Sequence, residues 1–331
     1  MRWFPRRRCR DCWRQYMSDY KETPVQFGPD GSLIGIITTP AEGPLAPVAC
    51  LMLNMGANHR IGPRRINVKL AREMAGRGIS CIRMDLAGLG DSGPASGSEH
   101  FLTQAVLDLQ AAMNLIQTML GVRRFIVIGL CSGATNGLSL AVADSRVVGL
   151  LMFDGYAFPG RRAQLERQFR RALAAPTNPA VIGKTARWLQ RKFSAKAAAA
   201  AAPHIFEPDP PEVTAAVFRR SMTQVAERNV AVLLFYTGTM HVTDRKRDQL
   251  GPFANEAFTQ RFEYRFIGEI DHSLTSMESQ RIFMEVVCDW ALRVSQGAVA
   301  ASAPHAAAAA RSGGQFASSR PAVALQRDPV I

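Results

Sequence analysis

Long apolar runs are missing from this chain of 331 residues. No stretch approaches 18 consecutive apolar positions, so no membrane-spanning helix is expected. Six arginines (Arg2, Arg6, Arg7, Arg8, Arg10 and Arg14) fall within the first 14 residues, but no apolar segment follows them, and the start of the chain does not read as a secretory signal. Acidic residues are in deficit, 27 against 40 Lys and Arg, which leaves a formal net charge of +13. Such a balance raises nucleic acid as a partner. The excess, however, is concentrated at the N-terminus and between Arg161 and Lys196, and no nucleic-acid motif accompanies it. Specific nucleic-acid binding is therefore not expected. An anionic substrate, peripheral contact with an acidic membrane surface, or a plain solvated face remain.

Cysteine is also scarce. The six residues Cys9, Cys12, Cys50, Cys81, Cys131 and Cys288 have no framework spacing. Cys50, Cys81 and Cys288 sit in or beside apolar runs and read as small core residues. Cys9 and Cys12 form C-x-x-C, but the second pair that a structural zinc site needs is absent. The expectation is a reduced, cytoplasmic protein with no metal and no other cofactor. Oligomeric state is not encoded in any pattern here.

What the chain does have is a globular share of hydrophobic residues, 47%, arranged in short runs. VQFGPDGSLIGIITT (25–39) reads as two strands around a Pro-Asp-Gly turn. PVACLMLN (47–54), GISCIRMDL (78–86), RRFIVIG (123–129), VVGLLMFD (147–154), VAVLLFYTG (230–238) and RFEYRFIG (261–268) read as buried strands. Helical spacing appears at 66–78, 99–120, about 132–144 and about 276–294. Strand–helix alternation implies a mostly parallel, doubly wound α/β sheet with helices on both faces. The rhythm breaks between 157 and 225, a helical, basic, Ala-rich stretch that reads as an inserted cap. The expected layout is a basic arm over 1–22, a core over 23–156 and 226–296, a cap over 157–225, and a disordered Ala/Ser/Gly/Pro-rich tail over 297–331.

Residues 129–133 read Gly-Leu-Cys-Ser-Gly, at the junction of an apolar strand and a helix. A nucleophile elbow needs small residues two before and two after the reactive residue, because the turn is sharp and crowded. Centred on Cys131 those residues are Gly129 and Gly133; centred on Ser132 they are Leu130 and Ala134. The sterics favour Cys131 as nucleophile. Its seat at a helix N-terminus would lower the thiol pKa, and the Ser132 N–H would be one oxyanion donor. His272, in GEIDHSLTSMESQR between the last strand and the last helix, is the candidate base. His100, His204 and His305 are weaker candidates; His59 lies in the loop after the 47–54 strand, facing the expected site.

The elbow GLCSGA, the stretch RMDLAGLGDSG (83–93) and DHSLTSMESQR before the final helix resemble the α/β-hydrolase superfamily over roughly residues 25–295. More closely, NMGANHRIGPRRINVKLAREMAGRGISCIRMDLAGLGDSG is similar to the serine-aminopeptidase-like hydrolases, including exosortase-associated hydrolases that carry cysteine in the elbow. The resemblance implies an α/β-hydrolase fold with an inserted helical cap. It implies that Met55, Gly56 and Ala57 supply the second oxyanion donor, with Asn58, His59 and Arg60 on the rim. It also implies an acid between nucleophile and histidine in chain order. Three readings remain open: Asp244, the first carboxylate after the strand ending at Tyr236; Asp154, at the end of the 147–154 strand; or no acid, or an Asn-like orienter, since a thiolate–imidazolium pair can form without one. Asp85 and Asp91 read as braces of a turn-rich loop.

The expected activity is hydrolysis of an ester or thioester of a small acyl substrate through a covalent Cys131 intermediate, with His272 as base. The cap arginines suggest an anionic substrate group, phosphate or carboxylate. Amides are disfavoured for want of a well-placed acid. The alternatives are an acyltransferase using the same thioester, as the cysteine-dependent polyester synthases of the resembling superfamily suggest, or a degenerate fold kept for binding.

Overall fold

The computed structural model describes residues 19–160, 165, 169, 210–238 and 247–312. Cys9, Cys12, Asp244, His204, most of the expected cap and the tail beyond 312 lie outside the described residues.

Eight strands form one sheet: β1 (Tyr20–Phe27), β2 (Leu33–Pro40), β3 (Val48–Met52), β4 (Ser80–Met84), β5 (Arg124–Leu130), β6 (Val147–Phe153), β7 (Ala231–Thr237) and β8 (Glu263–Ile267). Their spatial order is β1-β2-β4-β3-β5-β6-β7-β8. β1 pairs antiparallel with β2 and β2 antiparallel with β4; every pairing from β4 through β3 to β8 is parallel. The inner parallel strands β3, β5, β6 and β7 are nearly continuous apolar runs because both their faces are covered, whereas the edge strand β8, Glu-Tyr-Arg-Phe-Ile, is only partly buried. Among the described residues, five helices cover the sheet: α1 (Ile66–Gly76), α2 (Phe101–Leu120), α3 (Ser132–Ala143), α4 (Pro211–Glu227) and α5 (Met277–Ser312).

Strand alternation sorts the core into two layers. On β5, Phe125 and Val127 join the layer with Leu109, Met113 and Ile116 of α2, Leu138 of α3 and Phe218 of α4. Ile126, Ile128 and Leu130 face the other way, onto Leu70 and Met74 of α1 and Phe283, Val287 and Trp290 of α5. The period of two thus sends successive side chains of one strand into opposite cores. β3 and β5 are neighbours, yet the chain leaves β3 toward β4 and leaves β5 toward β6. That switch point opens a crevice at the carboxyl edge of the sheet.

Three boundaries differ from the sequence reading. Residues 211–227, counted there mostly within the cap, form α4, whose Phe218, Met222 and Val225 are fully buried in the main core. Their spacing makes one apolar stripe, and an Ala-rich, basic neighbourhood hid it. At the other end, α5 does not stop near 294 but continues to Ser312, through residues expected to be disordered. Alanine is the strongest helix former, so the low-complexity composition is compatible with continuing the helix. At the start of the chain, residues 20–22, assigned to the basic arm, are already paired in β1.

Candidate active site

Cys131 is the single residue between β5 and α3, at φ 54° and ψ −117°. A non-glycine residue in this region is strained and persists only where its surroundings hold it. The surroundings are tight backbone. A Cβ on Gly129 would lie 2.5 Å from the Gly133 carbonyl oxygen and 2.7 Å from Ala134 Cα, and one on Gly133 would lie 2.7 Å from the Asn54 carbonyl oxygen. The Cys131 N–H donates to the Phe153 carbonyl at 2.8 Å, which ties the turn to β6. Ser132 instead opens the helix, and its Oγ accepts a 2.7 Å hydrogen bond from the Gly56 N–H.

His272 follows β8 in a loop fastened by its own residues. Asp271 accepts hydrogen bonds from the Ser273 and Thr275 N–H groups at 3.0 and 2.8 Å, while Ile270 and Leu274 are buried on either side. His272 Nδ1 donates to Asp154 Oδ2 at 2.9 Å, and its ring stacks on Phe153 with centroids 6.3 Å apart. A carboxylate can only accept, so Nδ1 carries the proton and Nε2 is left for Cys131. Asp154 follows β6 directly, at φ 46°, with its side chain fully buried. Thr237, the last residue of β7, holds the carboxylate twice: its N–H donates to Oδ1 at 2.8 Å and its hydroxyl to Oδ2 at 2.6 Å. A buried carboxylate is tolerable only when so satisfied.

The electrostatics follow from these contacts. The hydrogen bond from His272 is the main influence holding the Cys131 thiol below its ordinary pKa; the Ser132 N–H helps and burial opposes. Asp154 first, then Cys131, push His272 up to about 10 against its desolvation. Each shift favours the charged form of its group, thiolate on Cys131 and imidazolium on His272. Cys288 moves oppositely, up to about 12, because burial penalises its charge, and burial likewise raises Cys81.

The structure therefore brings Cys131, His272 and Asp154 together. Asp244, the other acid weighed, lies outside the described residues. Thr237 was missed in the sequence; a threonine ending an apolar strand carries no signal that it will brace a carboxylate from the neighbouring strand.

The rim departs from the sequence reading. Met55 is buried, Gly56 and Ala57 are exposed, and the Gly56 N–H is engaged by Ser132 Oγ rather than free for an oxyanion. Arg60 is turned inward. Its Nη1 meets Asp85 Oδ2 at 2.5 Å, Asp91 Oδ2 at 2.8 Å and His59 Nε2 at 2.8 Å. The Arg60 side chain is 11% exposed and that of Asp85 is fully buried. The guanidinium neutralises a buried carboxylate and is not available to a substrate. His59, Asp85 and Asp91 could by their atom types surround a metal ion. The Arg60 guanidinium already bonds to all three and supplies the cation there. Asp85 also accepts from Asn54 Nδ2 and the Arg60 N–H, bracing the loop.

The family model for the alpha/beta hydrolase family matches residues 62–310. No curated protein matches the chain in sequence. Among solved structures, the esterase domain of a Rhodothermus marinus protein is 16% identical with a TM-score of 0.47, covering 83% of this chain and 98% of that one. XC6422 from Xanthomonas campestris, an α/β serine hydrolase without a lid, is 12% identical with a TM-score of 0.48, covering 83% and 95%. A cold-adapted esterase from an Arctic intertidal metagenomic library is 14% identical with a TM-score of 0.44, covering 82% and 93%. The sequence match spans well over half of the chain, and on that ground the chain belongs to the alpha/beta hydrolase family.

Proposed function

We propose that this protein is an acyl hydrolase acting on esters or thioesters through a covalent thioester at Cys131. The observation that carries the proposal is the continuous contact from Cys131 through His272 to the buried Asp154, with the cysteine held in a strained turn at the end of β5. The thiolate attacks the acyl carbonyl carbon, and the displaced electron pair collects on the carbonyl oxygen. The Ser132 N–H faces that oxygen, and an amide of the 55–57 loop is the second donor once Ser132 Oγ yields it. The tetrahedral intermediate collapses, the bond to the leaving group breaks, and His272 Nε2 gives its proton to that group. Neutral His272 then takes a proton from water, which attacks the thioester; collapse expels the Cys131 thiolate and returns the imidazolium. Asp154 keeps Nδ1 protonated throughout.

Amides were set aside in the sequence for lack of an acid. Asp154 beside His272 removes that reason, so amides belong in the substrate screen. The selecting role read for the 157–225 stretch, now without the residues of α4, and an anionic group on the substrate, remain part of the proposal.

The test is alkylation of Cys131 by iodoacetamide across pH, read by peptide mass spectrometry, followed by intact-mass detection of an acyl adduct from a panel of nitrophenyl esters and acyl thioesters. Fast alkylation below the ordinary thiol pKa, lost in His272→Ala, with an acyl adduct absent from Cys131→Ala, is the expected result. A thiol no more reactive than Cys288 at any pH overturns it. An adduct that decays to product only when an alcohol or amine is added would move the reading to acyl transfer.

A further inference from the structure

A cavity lies at the edge of the sheet opposite Cys131. Its volume is about 700 Å³, and it is lined by the N-terminal ends of β5, β6, β7 and β8 and by residues 290–298 in the middle of α5. That size suits a small ligand rather than a macromolecule. β5 has seven residues, so the cavity and Cys131 are separated by on the order of 20 Å of strand. Four arginines line it, Arg124, Arg228, Arg261 and Arg293, against one carboxylate, Glu263.

Among the described residues, three of these four arginines meet no carboxylate. Arg124 Nη1 donates to the Ala298 carbonyl. Arg228 donates to the carbonyls of Ala141, Val142 and Asp144 at the end of α3. Arg261 Nη2 donates to Asn229 Oδ1 at 2.5 Å. Those partners are neutral oxygens. Among the described residues only Arg293 meets a carboxylate, Glu263 at 2.8 Å, and Glu263 is shared with Arg265 at 3.0 Å. A guanidinium has five N–H donors in a rigid fork, so one anchored edge leaves others to bind with, and little side-chain freedom is lost when a ligand arrives. Val148, Val232 and Val294 make an apolar wall beside this charge. Trp290 lines the cavity but is only 3% exposed, so it offers no stacking platform for a nucleic-acid base.

We propose that this cavity binds a phosphate-class anion. A single carboxylate cannot use four guanidinium groups around one cavity; a tetrahedral dianion presents several oxygens to them at once. The anion could reach the cavity as a free phosphate compound or as a lipid headgroup, and the two sources are separable. The proposal does not depend on the acyl-hydrolase reading.

The test is calorimetric titration of the full chain with inorganic pyrophosphate at pH 8 and constant ionic strength, alongside co-sedimentation with phosphatidylcholine vesicles with and without phosphatidylglycerol. Both are repeated on Arg261→Gln/Arg293→Gln and on a charge-matched control, Arg219→Gln/Arg281→Gln, whose residues are exposed and lie outside the cavity. The expected result is binding weakened at least about tenfold in the cavity variant and unchanged within about twofold in the control. Retention on anionic vesicles without pyrophosphate binding, lost in the same variant, identifies the phosphate as a headgroup. Absence of binding to both probes overturns the proposal, as does equal loss in the control, which would reduce it to net charge. Should the double variant fail to fold, Arg261→Lys keeps the charge but not the fork, and undiminished pyrophosphate affinity there overturns the proposal. The iodoacetamide reactivity of Cys131 serves as an independent check of fold in every variant.

Discussion

His272 Nδ1 lies 2.9 Å from Asp154 Oδ2, although the two residues are 118 positions apart in the chain. One follows β8 and the other β6, and Thr237, at the end of β7 between those strands, holds the same carboxylate through its N–H and its hydroxyl.

Replacing Asp154 by Asn should remove the main influence raising His272 and so weaken the thiolate. Iodoacetamide labelling of Cys131 at pH 6–7 should slow, and ester turnover should fall by about 100- to 10,000-fold, the span for loss of a positioned acid–base group. Labelling rates and turnover equal to wild type would assign the acid elsewhere, with Asp244 next to be replaced.

The same contact has a signature in stability. His272 has a higher pKa in the folded protein, about 10, than the roughly 6.5 of an unfolded histidine. Its contribution is therefore complete below about pH 6.5 and is lost as pH rises toward 10. The difference in melting temperature between wild type and Asp154→Asn should be largest near pH 6 and shrink by pH 10. A constant difference across that range would mean that Asp154 acts on the fold by some route other than His272.

Ser132→Ala leaves the backbone N–H of Ser132 in place but deprives the Gly56 amide of its acceptor. The Gly56 amide is then free for the oxyanion without first breaking a bond that corresponds to about tenfold in rate. Turnover should rise by up to that order while Cys131 labelling stays unchanged, because the thiolate partner is His272. A fall in labelling would instead mean that the hydroxyl supports the thiolate itself.

Arg60→Ala should act on stability rather than on substrate affinity. It leaves Asp85 buried without its cation, a cost of about 3–5 kcal/mol. Denaturant unfolding should report that loss, with KM for an anionic ester unchanged in the protein that remains folded. A raised KM at unchanged stability would return Arg60 to the substrate rim.

Gly129→Ala pushes a methyl group to 2.5 Å from the Gly133 carbonyl oxygen. Overpacking of this kind costs about 1–3 kcal/mol. The variant should unfold earlier and lose the accelerated labelling of Cys131, since the turn that presents the thiol to His272 must open to admit the methyl. Unaltered labelling kinetics would show that the elbow tolerates bulk at that position.

The legibility of this chain divides along the range of the forces involved. Gly129, Cys131 and Gly133 were readable because the elbow is decided by steric contact among a few consecutive residues. The strands were readable because parallel strands covered on both faces must be apolar throughout, as Val48–Met52 and Arg124–Leu130 nearly are. The stripe Phe218, Met222, Val225 was present in the sequence as well, but composition drew the eye to a cap, and only packing against the main core gives that helix its place.

By itself, the sequence determined the α/β alternation, the strained turn and the residue standing in it, since local sterics and hydrophobic periodicity act between near neighbours. The choice of Asp154 as the partner of His272, the brace from Thr237, the burial of Arg60 against Asp85 and the gathering of four arginines at the far edge were decided only by tertiary structure. Each depends on which strands lie side by side and on which charges lose their water together, and no local pattern in the chain specifies either.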